Sequence, residues 1–175
     1  MASDDTHGEL RMWLASPADI PYIEGLFYRS AVWLEGRGYG HPPVWPTPAF
    51  IAAAVAGRVA RGEAWLASLG AAPPIATITV QPRDDLWPDD GLARYVHGLA
   101  VDRCAAGRGI GAYLLAWAAA QASTAGLDWL RLDCDASNSA LRSYYRARGF
   151  IFCGERSAEH RTAALFERAT RKDAT

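Results

Sequence analysis

Little in this chain of 175 residues suits it to an unusual environment. It has three cysteines, Cys104, Cys134 and Cys153. Their odd number, wide spacing and lack of a Cys-x-x-Cys pair argue against a disulfide framework or a zinc cluster. No metal is therefore expected, and a reducing cytoplasmic setting fits best. Net charge is scarce as well. The formal value of −1 lacks the basic surplus that a general nucleic-acid binder needs. No apolar run approaches the length of a membrane span, so neither nucleic acid nor membrane is an expected partner. The opening Met1-Ala-Ser-Asp-Asp-Thr6 has neither the basic nor the apolar region of a signal peptide. What remains is a globular profile, 50% apolar and 21% charged, long enough to bury a real core. Residues 1–7 read as a disordered tail and 8–170 as a single domain.

Glycine is placed with more purpose. The segment Leu99-Ala-Val-Asp-Arg-Cys-Ala-Ala-Gly-Arg-Gly-Ile-Gly-Ala112 carries Gly107, Gly109 and Gly111 in alternation. Before it, Tyr95 to Val101 predicts a strand. After it, Ile110, Tyr113, Leu114, Trp117 and Ala118 recur at i, i+3, i+4, i+7 and i+8, which predicts an amphipathic helix. Glycines at a helix start let the backbone approach a ligand and leave N–H groups pointing outward. The helix dipole adds partial positive charge there, so the turn suits a phosphate or pyrophosphate.

Elsewhere the pattern alternates between strands and helices. Glu9–Ala15 predicts a first strand. Ser16-Pro17 starts a helix with a stripe of Ile20, Ile23, Phe27, Ala31 and Leu34, ended by Gly36. An aromatic stretch, Phe27 to Trp45, contains Trp33, Tyr39 and His41. It reads equally as a core face with a pinned loop or as the wall of an acceptor pocket. A second helix runs from Thr47 to about Arg61. Ala64–Leu69 and Ile75–Val80 predict a hairpin. The loop Arg83-Asp-Asp-Leu-Trp-Pro-Asp-Asp-Gly91 is acidic around Trp87, and suits a solvated turn or an amine-attracting one. Trp129–Leu132 predicts a strand, and Leu141, Tyr144, Tyr145 and Arg148 mark a helix stopped by Gly149-Phe150. Two closing strands follow at Ile151–Gly154 and Thr162–Phe166.

A P-loop would end in Gly-Lys-Ser/Thr, and none is present. Gly107-x-Gly109-x-x-Ala112 matches a Rossmann expression, but five residues separate strand from first glycine where that fold turns at once. The order Val101-x5-Gly107-Arg-Gly-Ile-Gly111, helix, strand, Asn138-x6-Tyr145-x3-Gly149-Phe150 resembles the GNAT superfamily of acetyl-CoA-dependent N-acetyltransferases. The resemblance is specific from Tyr95 to Phe150. It implies an α+β fold: a mixed, mostly antiparallel sheet with splayed central strands and helices on both faces. It implies acetyl-CoA as co-substrate, with the pantetheine arm along Leu99, Ala100 and Val101. The pyrophosphate would sit on Gly107, Arg108, Gly109, Ile110, Gly111 and Ala112. Asn138 matches the cofactor-contacting amide and Tyr145 the position near the sulfur. Ala106 departs from the family pattern, which often has Arg or Gln there. Arg108, with Arg103 or Arg142 as alternatives, would then serve the phosphates. A homodimer is a further implication of the resemblance.

Acyl transfer to a primary amine by direct attack in a ternary complex needs no enzyme nucleophile. It needs a proton acceptor, and an acid can protonate the leaving thiolate. Tyr145 is the expected acid, because a phenol stays protonated at neutral pH. Tyr144 is the alternative ring. His97 is the expected base, on a strand that resembles the same strand in arylalkylamine N-acetyltransferases. There Tyr95 occupies the position of a second histidine. Asp133, Glu35 or solvent are alternatives. Trp33 and Trp87 are the expected acceptor-binding residues. Rival readings are transfer of a different acyl group and a non-catalytic acyl-CoA sensor.

Overall fold

Ser16 closes its own turn before the first long helix begins. Its N–H and Oγ both donate to Asp19 Oδ2, at 2.9 and 2.8 Å, a capping box that satisfies orphan donors at the helix start. The computed structural model describes residues 10–39, 48–88, 90–158 and 161–171. The sequence expectations for residues 1–7, His41 and Trp45 lie outside these. The elements are β1 Leu10–Leu14, α1 Ile20–Glu35, α2 Pro48–Ala60, β2 Ala64–Leu69, β3 Ala76–Gln81, β4 Ala93–Val101, α3 Ile110–Thr124, β5 Trp129–Asp135, α4 Ser139–Arg146, β6 Ile151–Ala158 and β7 Arg161–Ala169. Every strand and helix expected from periodicity is present, with ends shifted by a few residues.

The strands follow the order β1-β2-β3-β4-β5-β7-β6. The pairs β1–β2, β2–β3, β5–β7 and β6–β7 are antiparallel, and β4–β5 is parallel. This is the mixed, mostly antiparallel sheet that the resemblance implies. The chain forms two compact units. One contains the described residues up to Arg37, those of 45–79, and 98–111. Its core joins Ile23 and Leu26 of α1 to Val55 and Val59 of α2, Ala64 and Leu66 of β2, and Ala100 of β4. The expected α1 stripe is therefore partly right: Ile23 is buried, but Leu26 rather than Ala31 shares its depth.

The other unit contains the described residues of 38–44, 80–97 and 112–171. In it β5 pairs with β7 along its whole length but with β4 only from Ala93↔Trp129 to Val96↔Leu132. The parallel pairing thus ends at Val96, while β4 continues to Val101. Arg168 of β7 donates to the carbonyls of Leu115 and Arg148, at 2.9 and 3.2 Å, tying the strand to α3 and to the end of α4. On α3, Leu114, Leu115, Ala118 and Ala122 are wholly buried, whereas Tyr113 is 43% exposed. The apolar stripe lies one position further round the helix than the sequence pattern implies, because small alanines fill the buried face.

One residue breaks the run of β4. Gly98 takes a φ of +53° inside the strand, and a Cβ there would lie 2.7 Å from Phe27 Cζ. Glycine alone tolerates both the backbone angle and the ring. Before this interruption, Tyr95 and His97 lie on the same side of the strand, as alternation predicts. Both of those meet the 84–90 loop. Gly98→Ala is expected to cost about 2–4 kcal/mol in urea unfolding, from strained backbone plus overpacking. Phe27→Leu in the same chain should return part of that loss.

Candidate active site

The glycine turn is built by its flanks. Asp102 donates its N–H to Ile75 O at 2.7 Å and accepts from Cys104 N–H on Oδ1 at 3.1 Å. Its Oδ2 pairs with Arg29 at 2.8 Å. These contacts hold a short 3-10 turn at residues 103–105, whose last internal bond runs from Ala106 N–H to Arg103 O. Beyond it, the amides of Gly107 and Gly109 find no backbone acceptor among the described residues, and those of Ile110 and Gly111 open α3, where the first N–H groups have no acceptor within the helix. Gly107 and Gly109 both have positive φ, at 79° and 75°. Left-handed residues on either side of Arg108 aim successive N–H groups outward, and α3 starts immediately after. A Cβ at Gly107 would meet nothing within 4 Å, so the concave side is open. The turn therefore fits a diphosphate. Arg108 is exposed beside it, and Ile110 anchors the helix start in the core. Arg142 is engaged elsewhere, donating to Ala136 O and to Glu155.

In the other unit His97 sits among charges that the sequence does not place together. Its Nε2 lies 2.9 Å from Oδ2 of Asp84, a close charge contact without the angle of an aligned hydrogen bond. Asp84 comes from the loop after β3, and its side chain is only 5% exposed. Its Oδ1 accepts from the Leu86 amide at 2.7 Å. Asp133 of β5 is as deeply buried, and one polar atom each from Asp84, His97 and Asp133 lie within 4.8 Å of one another. Arg161 of β7 pairs with Asp133 Oδ2. Burial alone would raise the Asp84 pKa, but contact with His97 and the Leu86 amide outweighs it, so the carboxyl lies below its ordinary range.

Tyr145 faces inward from α4, ringed by Tyr144, Phe150 and Phe166. Burial, then the nearby Cys134, Tyr144 and Asp133, pushes its pKa far up. The phenol is thus held protonated, as an acid requires. Tyr144 is half-buried, with the Arg148 guanidinium 3.4 Å from its ring centre. Asn138 is buried and its Oδ1 caps α4 by accepting from Leu141 N–H at 3.0 Å. That leaves the amide NH2 as its donor toward a ligand. All three thiols are held protonated: Cys134 is pushed up to about 11 by burial, Cys153 is raised mainly by burial, and Cys104 by its bond to Asp102.

Comparison with known proteins bears on this arrangement. Residues 22–150 match the family model for the acetyltransferase (GNAT) family. The chain is 33% identical over 144 residues to the uncharacterized N-acetyltransferase YesJ of Bacillus subtilis, covering 78% of each chain. This chain belongs to the GNAT acetyltransferase family. It is an acetyl-CoA-dependent acyltransferase by that membership. Among solved structures, a GNAT family acetyltransferase of Listeria monocytogenes matches with a TM-score of 0.74 at 22% identity, over 91% of this chain and 94% of that one. The structure of yncA from Salmonella typhimurium with its cofactor acetyl-CoA matches at 0.66 and 11%, over 95% and 97%.

Two tryptophans of this GNAT chain occupy different surroundings. Trp33 is half-buried near the end of α1, with Arg103 and Arg37 stacked 4.0 and 4.6 Å from its ring centre. Trp87 is buried, in a cluster with Ala93, Tyr95, Ala163 and Leu165. Its loop is pinned by Arg131, which donates to Asp90 at 2.8 Å, Tyr95 at 3.3 Å and Glu167 at 3.1 Å. The same guanidinium lies 4.8 Å from the Trp87 ring centre. The acidic loop is therefore held in place rather than merely solvated. Sequence reasoning saw its charge but not its partner, since Arg131 stands 41 residues from Asp90. Glu35, the alternative base, is exposed at the end of α1 in the unit that does not contain His97.

Arg131→Met is expected to lower stability by about 2–4 kcal/mol in urea unfolding, because it strands two carboxylates that face little water. Acid should act through the same groups. Asp84 and Asp90 both titrate below the ordinary value of 3.8. Their contribution is complete above that pH and fades as pH falls through their lower native values. Asp90→Asn should therefore narrow the difference between unfolding free energies measured at about pH 7 and about pH 2.5.

Proposed function

We propose that this chain is an N-acetyltransferase that moves an acetyl group from acetyl-CoA to a primary amine by direct attack. The observation that carries the reading is the glycine turn, with free amides at Gly107 and Gly109, that opens a helix in a member of the GNAT family. Bound acetyl-CoA supplies a thioester whose acyl carbon is the electrophile. The amides of residues 107–112, with Arg108, hold its diphosphate. Leu99–Val101 offer the backbone edge for the pantetheine arm, in keeping with the end of β4–β5 pairing at Val96. The NH2 of Asn138 is a further cofactor contact.

A protonated amine cannot attack, so the acceptor must lose a proton. His97 takes it, with its Nε2 held toward Asp84 and its Nδ1 left for the incoming proton. Tyr145 donates to the leaving sulfur, its phenol kept protonated by burial. No thiol of this chain is poised as a nucleophile, in line with direct attack and no acyl-enzyme. The loop held around Trp87, which also carries Asp84 beside His97, borders the acceptor. Cysteine usage favours a reducing, cytoplasmic setting, and the family resemblance favours a homodimer. No helix among the described residues is long and apolar enough to cross a membrane.

The test is CoA release from acetyl-CoA against a panel of amines. Tyr145→Phe is expected to lower kcat about 100-fold while leaving CoA affinity unchanged, the scale of a lost general acid. His97→Gln should lower kcat/KM by a similar factor and remove the acid limb of its pH profile. Gly109→Val should weaken CoA binding about tenfold or more in calorimetry, because a β-branched residue resists positive φ. CoA binding without turnover for any amine, and indifference to Tyr145→Phe, would make the chain a sensor instead.

A further inference from the structure

Two buried carboxylates and one imidazole make an awkward base. Asp84 and Asp133 are 5% and 4% exposed, and both lie close to His97. Two negative charges at that range favour the imidazolium strongly. A histidine that holds its proton at neutral pH cannot take one from an amine. The third charged group is Arg161. It pairs with Asp133 and also lowers the Asp84 carboxyl through space. Its Nη1 is buried yet donates to nothing among the described residues. A desolvated, unused donor is costly, so the position is poorly explained by hydrogen bonding alone. Its charge is the feature the site uses.

We propose that Arg161 is a positioning residue that sets the proton affinity of His97, by cancelling Asp133 so that Asp84 alone acts on the imidazole. Asp84 enters from the loop after β3, Asp133 from β5 and Arg161 from β7. These carboxylates lie close to His97, and Arg161 pairs with one of them. With His97 neutral the cluster carries one net negative charge, and without Arg161 it carries two. The second negative charge would favour the imidazolium over the neutral ring. Asp133 also raises the Tyr145 phenol, so the same pairing moderates the charge felt by the acid. The catalytic consequence rests on the reading of His97 as base, whereas the electrostatic claim does not.

The test is an NMR titration of the free protein, with the His97 signal identified by its loss in His97→Gln. In Arg161→Gln the His97 midpoint is expected to rise by about one pH unit or more. Arg161→Lys, which keeps the charge, should stay near the parent value. Asp133→Asn added to Arg161→Gln should bring the midpoint back down. In the amine assay the acid limb of kcat/KM should shift upward with the midpoint in Arg161→Gln. Activity lost near neutrality should return at high pH. A purely structural Arg161 would lower activity at every pH and leave the midpoint in place, and that result overturns the proposal. If Arg161→Gln does not fold, Asp133→Asn alone decides: its midpoint must fall, and an unchanged one overturns the proposal. A normal midpoint shift together with a fully active His97→Gln would leave the electrostatics standing and sink the base assignment.

Discussion

A main-chain N–H with no acceptor inside the protein must find one outside it. The turn between β4 and α3 presents such amides at Gly107 and Gly109, and the first N–H groups of α3 follow at Ile110 and Gly111. Much of the first unit keeps them so. Asp102 is held by Ile75 O, by the Cys104 amide and by Arg29. The 3-10 turn engages the Asp102 and Arg103 carbonyls, and positive φ at Gly107 and Gly109 turns the next N–H groups outward. A binding site made of backbone depends little on which side chains surround it. If this turn holds the diphosphate, as proposed, the departure at Ala106 removes one side-chain contact and leaves the amides in place.

The second unit solves a different problem, that of keeping opposite charges useful while hidden from water. Arg131 gathers Asp90, Glu167 and Tyr95, and so fixes the loop that carries Asp84. Asp84 in turn touches His97, and Arg161 balances Asp133. Each carboxylate buried near the imidazole has a counter-charge or a backbone donor. The arrangement is therefore a charge balance distributed over one loop and three strands, β4, β5 and β7. Tyr145 is treated oppositely. Its phenol is wrapped in aromatic rings, where the charged form is disfavoured and the proton stays.

Period and punctuation settled a good deal from the sequence alone. Period and helix-start signals marked the helices and strands found among the described residues, because a buried stripe repeats with the backbone that carries it. The glycines at 107 and 109 revealed the cradle, since only glycine takes positive φ freely before a helix. Asn138-x6-Tyr145-x3-Gly149 placed the acid candidate on its helix. Tertiary structure alone decided which charges meet. Asp84, His97, Asp133 and Arg161 come from four separate segments, and side-chain periodicity says nothing about partners across strands. The same holds for Arg131 under the acidic loop, and for Phe27 against Gly98. Local patterns report what a residue does to its own backbone, whereas electrostatic partners are chosen by the sheet order that brings distant segments side by side.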